Sequence, residues 1–450
     1  LAIKKIIQNY RSGVKEDSYK GKYLKNLSSS FILNIGAVII TYLTNLVLTN
    51  ITDKAEYGAY VGINNMANML ALFAPMGLNI LILRQLPEYK AKENYGLIKG
   101  FNRFSILSIF IFSTVITLIA IIVFTNFDLI HGVKNKNYIV IGLCCVPLLS
   151  LLGYFQGVLN GLKHIGKALI SEKIIRPLLI AAGSTLLFFL YANPDGGDLL
   201  SVFLVSSIIV LAIAYFLMQR GLKQEIPNHQ AEYQRLSWIK QGWLFVPLSA
   251  LSVINSRIDI QMIGMIMSEK EALNSIALFN VANKAAMGLG LGLLISNYVL
   301  GPSASELFHT GQQERLQNIV TKTSRIVMLL SLPLFLGLIF GGYWLLGLYG
   351  PGYNEAYPTL LILIFGQFVN VATGAVGYLL ILTKNEKYTI IGMGVSVVIN
   401  ISLNLMLIDD YGIEGVAVAT AVSLAAWNLI MLYYLVKKTG LNPTPFKFNG

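Results

Sequence analysis

The chain has 450 residues, 55% of them hydrophobic and only 12% charged, with a net charge of +12 and a mean hydropathy of +0.64. Soluble domains carry about 25% charged residues, so a soluble globular protein is excluded and a polytopic membrane protein is indicated. The basic excess lies in short connections without a binding motif, which excludes a nucleic-acid binder, and no Gly-rich loop ending in Gly-Lys-Ser/Thr is present for nucleotide hydrolysis.

Residues 1–26 mix seven Lys/Arg with Tyr, Ser and Gly and contain no continuous apolar run. They read as a basic interfacial segment rather than a cleavable leader, and Leu1 in place of methionine reads as a trimmed start. Apolar runs of about 20 residues, enough to cross the hydrocarbon core as helix, follow at 27–50, 58–85, 104–124, 138–160, 174–192 and 199–219. The connection 220–241, with Pro227 and His229, separates this first set from a second at 242–267, 275–301, 326–348, 357–382, 389–408 and 415–436. The expectation is therefore an all-α fold of twelve transmembrane helices. They form two six-helix bundles (27–219 and 242–436) around a central cavity, joined by the linker 220–241 and followed by a tail, 437–450.

Alternate connections hold 27 Lys/Arg, whereas those on the other side hold four, Lys54, Lys134, Lys136 and Lys270. Positively charged loops stay cytoplasmic, which places both termini there. Pro75, Pro147, Pro247 and Pro333 lie inside apolar runs and mark expected kinks. Gly153, Gly157 and Gly161 recur at a spacing that lets helices approach closely, and Gly288, Gly290 and Gly292 imply a bend or close contact. Cys144 and Cys145 are adjacent within a span and read as packing residues. His131, His164, His229 and His309 are scattered without ligand spacing, so no metal site is expected.

The halves are related. Glu56 to Pro87 aligns without a gap on Glu271 to Pro302, 215 residues later, with nine identities in 32 positions that include Asn65/Asn280, Ala67/Ala282 and Asn68/Asn283. Internal duplication in a strongly apolar chain is characteristic of transporters.

Ionisable groups near the bilayer centre cost at least about 2.5–3.5 kcal/mol each and commonly mark substrate or ion paths. Arg257, Asp259 and Lys284 fall at roughly 13–17 Å below the outer surface at 1.5 Å per residue. Arg257 and Asp259, two residues apart, point to opposed sides of one helix. The expectation is that Asp259 pairs with Lys284 across the hairpin while Arg257 projects into a central cavity and meets an anionic group; a purely structural ion-pair cluster is the alternative. Arg84 closes the second span, as an anchor or a substrate contact. Glu172 and Arg176, in i,i+4 order, read as a salt bridge at the cytoplasmic mouth. Asn34, Asn45, Asn64, Asn68, Asn79, Asn280 and Asn283 line a hydrated cavity or bond between helices. No catalytic constellation is present in the sequence, and a non-enzyme is expected.

Tyr57-Gly58-Ala59-Tyr60 with Gly77-Leu78 and Arg84, Asp259 with Ile263-Gly264, and Pro302-Ser303-Ala304-Ser305-Glu306-Leu307 resemble motifs of the polysaccharide transporter family. Gly366-Gln367, Asn370, Gly374 and Gly377, and the run Tyr411 to Thr420, resemble its patterns in the tenth and twelfth helices. The chain departs from that family at Asn50-Ile51-Thr52, at Ser275-Ile276-Ala277, and at Lys384, where glycine is common. The resemblance implies an O-antigen-translocase-like flippase in a bacterial cytoplasmic (inner) membrane. It would move a polyprenyl-pyrophosphate-linked glycan of lipopolysaccharide or a similar polymer by alternating access, among membrane lipids and alongside a polysaccharide polymerase and other assembly proteins. Arg257, Lys284 and Arg84 are then the substrate-binding cations, and Asp259 a site for proton or sodium coupling. Two further readings stand beside it. One is a cation-coupled multidrug extruder of the same superfamily, which calls for a mainly acidic cavity; the other is a membrane glycosyltransferase or polymerase, which calls for loop-borne acids.

Overall fold

A computed structural model describes residues 19–446 except 128–129, 134, 192, 228, 294–299, 301–306 and 309. The Pro302 to Glu306 part of the family motif, the end of the second repeat copy, His309 and most of the basic N-terminal segment lie outside the described residues. Among the described residues there are helices and no strand. Lipid offers the backbone no partners, so a spanning segment must satisfy its own hydrogen bonds.

In the first half run α1 (Tyr19–Ile51), α2 (Lys54–Phe73), α3 (Leu78–Ala91), α4 (Tyr95–Asn126), α5 (Lys136–Leu143), α6 (Cys145–Gly161), α7 (Ile165–Ile170), α8 (Arg176–Tyr191) and α9 (Gly196–Glu225). A short helix, α10 (Arg235–Trp243), leads into the second half. There follow α11 (Val246–Ile266), α12 (Ala272–Met287), α13 (Gln313–Gly347), α14 (Tyr357–Thr373), α15 (Val376–Leu382) and α16 (Glu386–Thr439). Among the described residues nine helical segments are long and apolar enough to cross a membrane, or ten when the bent pair α2 and α3 is one span.

Of the four expected proline kinks a bend is described at Pro75, whereas Pro147 stands in the first turn of α6. Pro75 falls in the break between α2 and α3, which meet at 44° with Gly77 in the left-handed region at φ 76°. Pro247 sits in the first turn of α11, and Pro333 lies within α13. At 1.5 Å per residue the 54 residues of α16 would extend about 80 Å, far beyond one crossing. Gly412 breaks it with φ 55° and ψ −134°, and Gly415 lies so close to Leu407 that a Cβ would stand 2.4 Å from its carbonyl oxygen. The motif beginning at Tyr411 is thus a helical hairpin turn. Lys384 adopts φ 58°, which explains the glycine common at that position in the family it resembles.

The two repeat copies pack against each other at the centre of the molecule. Gly58 of α2 touches α12 so closely that a Cβ would lie 1.9 Å from the Leu273 carbonyl oxygen. Both copies break their helix within one residue of the same register, α2 after Phe73 and α12 after Met287, where a 3-10 turn spans Gly288–Gly290. An apolar core continues across this seam, with Tyr57, Ile63 and Ala67 from one half and Phe279, Val281 and Ala282 from the other fully buried. Gly157 and Gly161 pack on Asn79, Ile82 and Leu86 of α3 as their spacing predicts, whereas Gly153 faces open space. Gly292 packs on Val327 and Ser331 of α13.

Candidate functional site

A cavity of about 270 Å³ opens along the seam, lined from the first half by α1, α2, α8, α9 and the turn before α8, and from the second half by α11 and α12. Its charged lining consists of Lys173, Arg176, Arg257 and Lys284 against one acid, Glu172. The loops account for 31 of the 34 Lys/Arg, so Arg176, Arg257 and Lys284 are the three left over, and the fold brings all three to one cavity. That residue arithmetic was available in the sequence and points to Arg176 as plainly as to the other two.

Arg176 is positioned by a π-helical turn, Ser171–Ile175, which precedes α8. Such turns insert a residue and re-aim the side chains around them, often at functional sites. Glu172 Oε1 accepts from Arg176 Nη2 at 3.2 Å, so the expected i,i+4 pair forms, while its Oε2 accepts from Gln156 Nε2 at 2.6 Å. The guanidinium stacks 5.4 Å from the Phe203 ring, and its Nη1 is buried without a partner among the described residues. A buried guanidinium donor left open in this way is a ready partner for a ligand oxygen.

Arg257 projects into the cavity as expected. Its Nη1 donates to Asn65 Oδ1 at 3.1 Å, and Asn65 Nδ2 donates to the Arg257 carbonyl at 2.9 Å. Lys284 Nζ donates to Asn45 Oδ1 at 2.5 Å, an acceptor shared with the Tyr57 hydroxyl at 2.8 Å. Asn280 Nδ2 donates to that hydroxyl at 3.0 Å. Among the described residues neither Arg257 nor Lys284 is ion-paired.

The expected pairing of Asp259 with Lys284 does not occur. Asp259 is 5% exposed and turns into the second half, where it accepts from Asn400 Nδ2 and Asn404 Nδ2, each at 2.9 Å, and from Thr420 Oγ1 at 2.8 Å. The reason is geometric. At about 100° per residue, positions two apart point some 200° apart, so with Arg257 on the seam Asp259 must face α16. Lys284, on the seam side of α12, is out of its reach.

Other expected site residues separate in the same way. Asn45, Asn64 and Asn280 line the cavity, as does Asn65, which the sequence marked only as a repeat identity. Asn68 bonds instead to Asn64, while Asn34 accepts from Lys173 Nζ at 3.4 Å outside the cavity lining. Neither Asn79 nor Asn283 is among the lining residues, and Arg84 is exposed on α3 away from the cavity. A neutral amide on an apolar helix carries no directional signal, and this is why the asparagines could not be sorted beforehand.

The seam is fastened on the face opposite the basic connections. Asn50 Nδ2 donates to the Leu348 carbonyl at 2.9 Å, and Lys54 reaches the Gly352 carbonyl at 3.1 Å and Glu355 at 3.6 Å. The Tyr42 and Tyr349 rings meet edge-on at 5.4 Å beneath these contacts.

A family model described as polysaccharide biosynthesis protein matches residues 23–308. The chain belongs to the polysaccharide biosynthesis protein family. A relative, the probable low-salt glycan biosynthesis flippase Agl15 of Haloferax volcanii, is 21% identical over 409 residues, 90% of this chain and 82% of Agl15. Among solved structures, the lipid II flippase MurJ in an inward closed conformation superposes with a TM-score of 0.71 at 16% identity, covering 90% of this chain and 86% of MurJ. An inward-facing multidrug resistance transporter of the MATE family superposes with a TM-score of 0.68 at 11% identity, covering 90% and 94%. The family member described here therefore shares the fold of these two solved structures, and it is a multi-pass membrane protein.

Proposed function

We propose that the protein is a flippase that carries a lipid-linked oligosaccharide, joined to its polyprenol through pyrophosphate, from the cytoplasmic to the outer leaflet by alternating access. The observation that carries this reading is the seam cavity, where Arg176, Arg257 and Lys284 converge against one carboxylate already engaged on both oxygens. Such a lining suits a phosphate or pyrophosphate, whose oxygens form charge-assisted hydrogen bonds with guanidinium and ammonium groups. A volume near 270 Å³ accepts the anionic group, with the sugars in the mouth toward the basic face and the polyprenol in lipid. The named relative serves glycan biosynthesis in an archaeon, so the substrate is taken as a lipid-linked surface glycan without restriction to O-antigen.

Twelve crossings in two bundles follow when α16 is counted as two legs about Gly412 and α11 is counted as a span despite its two charges. With the basic connections cytoplasmic, the cavity belongs to the cytoplasmic side and the fastened seam to the outer side. A flipped glycan is then available to a polymerase and other assembly proteins, and the protein itself performs no covalent chemistry.

Asp259 supplies the coupling site. Its two oxygens, the Thr420 hydroxyl oxygen and Asn404 Oδ1, which is buried without a partner among the described residues, are hard oxygen donors, while Asn400 and Asn404 turn their Nδ2 groups to the carboxylate. This donor set fits a sodium ion, which supplies the energy of its gradient; a proton on Asp259 is the other coupling ion such a pocket admits. Reconstitution tests the whole reading: proteoliposomes containing the protein move polyprenyl-pyrophosphate-linked oligosaccharide to the opposite leaflet, whereas extrusion of a cationic dye with no lipid movement would replace this reading with the multidrug one.

A further inference from the structure

The two cavity cations that the second half supplies are held by the first half. Arg257, in the second half, donates to Asn65 in the first at 3.1 Å; Lys284, in the second half, donates to Asn45 in the first at 2.5 Å. Asn65 and Asn280 are the same position in the two repeat copies, and each bonds across the seam, Asn65 to Arg257 and Asn280 to Tyr57. All three asparagines are about 5–6% exposed, so the acceptor side of these bonds is buried while their cations face the cavity. The duplicated amide thus sits at mid-depth as a fastener between halves, and two of the groups it and its neighbour fasten are the donors that face the cavity.

We propose that Asn45 and Asn65 form a latch that an incoming phosphate or pyrophosphate releases, so that capture of the anion and opening of the seam compete for Arg257 and Lys284. The inference rests on the anion-binding reading of the cavity given above. A phosphate oxygen is a stronger acceptor for guanidinium and ammonium donors than a neutral amide oxygen, because the bond is then charged on both sides. Once the cations turn to the ligand, Asn65 Oδ1 loses its donor and Asn45 Oδ1 keeps only the Tyr57 hydroxyl. Buried acceptors left short of donors are costly, and parting the two halves lets water reach them. The ligand therefore binds the parted state better than the latched one, the differential affinity that any ligand-driven shift requires. Among the described residues Arg176 has no cross-seam hydrogen-bond partner, and it remains in the first half with the ligand. An uncharged solute of the same size leaves both latch bonds intact and does not trigger opening.

Full-length protein in nanodiscs, with Cys144 and Cys145 replaced by Ala, carries the test. Asn50→Cys and Leu348→Cys, whose parent groups are bonded across the outer end of the seam, are bridged with a short bis-methanethiosulfonate, and the bridging rate reports the closed seam. Asn65→Ala and Asn45→Ala slow bridging at least about fivefold without ligand and bind farnesyl pyrophosphate about three- to tenfold more tightly, since the cations are no longer engaged. Asn65→Asp does the reverse: a carboxylate grips Arg257, bridging is at least as fast as in the parent, and farnesyl pyrophosphate binds at least about tenfold more weakly. Inorganic pyrophosphate is run beside farnesyl pyrophosphate; slowing by both assigns release to the anion alone, and slowing by the farnesyl form only assigns it to the lipid-borne anion. Unchanged bridging in both alanine variants, or an Asn65→Asp variant that behaves like Asn65→Ala, overturns the latch. Failure of either pyrophosphate to bind the parent protein would instead sink the anion-binding reading, while the ligand-free bridging rates still decide the latch. Size-exclusion profiles confirm that each variant is folded.

Discussion

Arg257 and Asp259 stand two residues apart and do different work because a helix turns about 100° per residue. Placing one on the seam delivers the other to α16, so a sequence reading that notes opposed faces has most of the answer and still cannot name the partner. The pairing of Asp259 with Lys284 failed for this reason: both are charged and near one depth, yet they lie in different packing layers. If Asp259 holds the coupling ion, Asp259→Asn leaves binding of farnesyl pyrophosphate unchanged within about twofold and abolishes dependence of flipping on a sodium gradient. Retained sodium dependence in that variant contradicts the assignment. A second test at this scale concerns the connection between α6 and α7. His164 Nε2 lies 3.0 Å from Glu225 Oε1, and Lys90 Nζ is 2.6 Å from Glu225 Oε2. Burial, reinforced by Lys167, pushes the His164 pKa below its ordinary value, against the opposing pull of Glu225. The folded state thus binds this proton less readily than the unfolded chain, whose histidine titrates near about 6.5. The stabilisation is complete above that value and is lost as pH falls through it toward the lower folded pKa. Thermal stability in detergent should accordingly drop between pH 7.5 and 5.5, and drop less in His164→Gln; equal slopes in the two proteins count against the assignment.

Helices make their own demands on the sequence, and these were the most readable. Apolar run length marked most of the spans, Pro75 marked the break of α2 from α3, and the gap between the runs 389–408 and 415–436 holds the turn that the fold places at Gly412. The π-helical turn before α8 was not legible, because one inserted residue leaves no compositional trace, and with it went the aim of Arg176 into the cavity. Two substitutions test the element-level account. Lys384, held at φ 58° where L side chains are strained by about 1–2 kcal/mol, should gain roughly 1 kcal/mol of stability on replacement by glycine. Gly58→Val places a side chain into the Leu273 backbone of α12. Overpacking of this kind costs about 1–3 kcal/mol or more, so a clearly lowered melting temperature is expected. A neutral effect would mean that α2 and α12 do not approach as described.

At the scale of the whole molecule, the duplication supplies the architecture and its breaking supplies the chemistry. The copies pack on each other through Gly58 and break their helices within one residue of the same register, yet Arg257 stands opposite Tyr42 and Lys284 opposite Met69 across the 215-residue offset. One half therefore brings two cations to the seam, and the other brings Lys173, Arg176 and the asparagines that receive the first two. Four cations in a cavity with one engaged carboxylate make sense for an anionic cargo and little sense for a cationic one. The measurement that tests this most directly is the flipping rate of polyprenyl-pyrophosphate-linked oligosaccharide in proteoliposomes bearing Arg176→Gln, Arg257→Gln or Lys284→Gln, with folding checked for each. The account predicts a loss of at least about tenfold in every variant, in keeping with charged hydrogen bonds worth about 1.5–3 kcal/mol each. Rates equal to those of the parent protein in all three would contradict it.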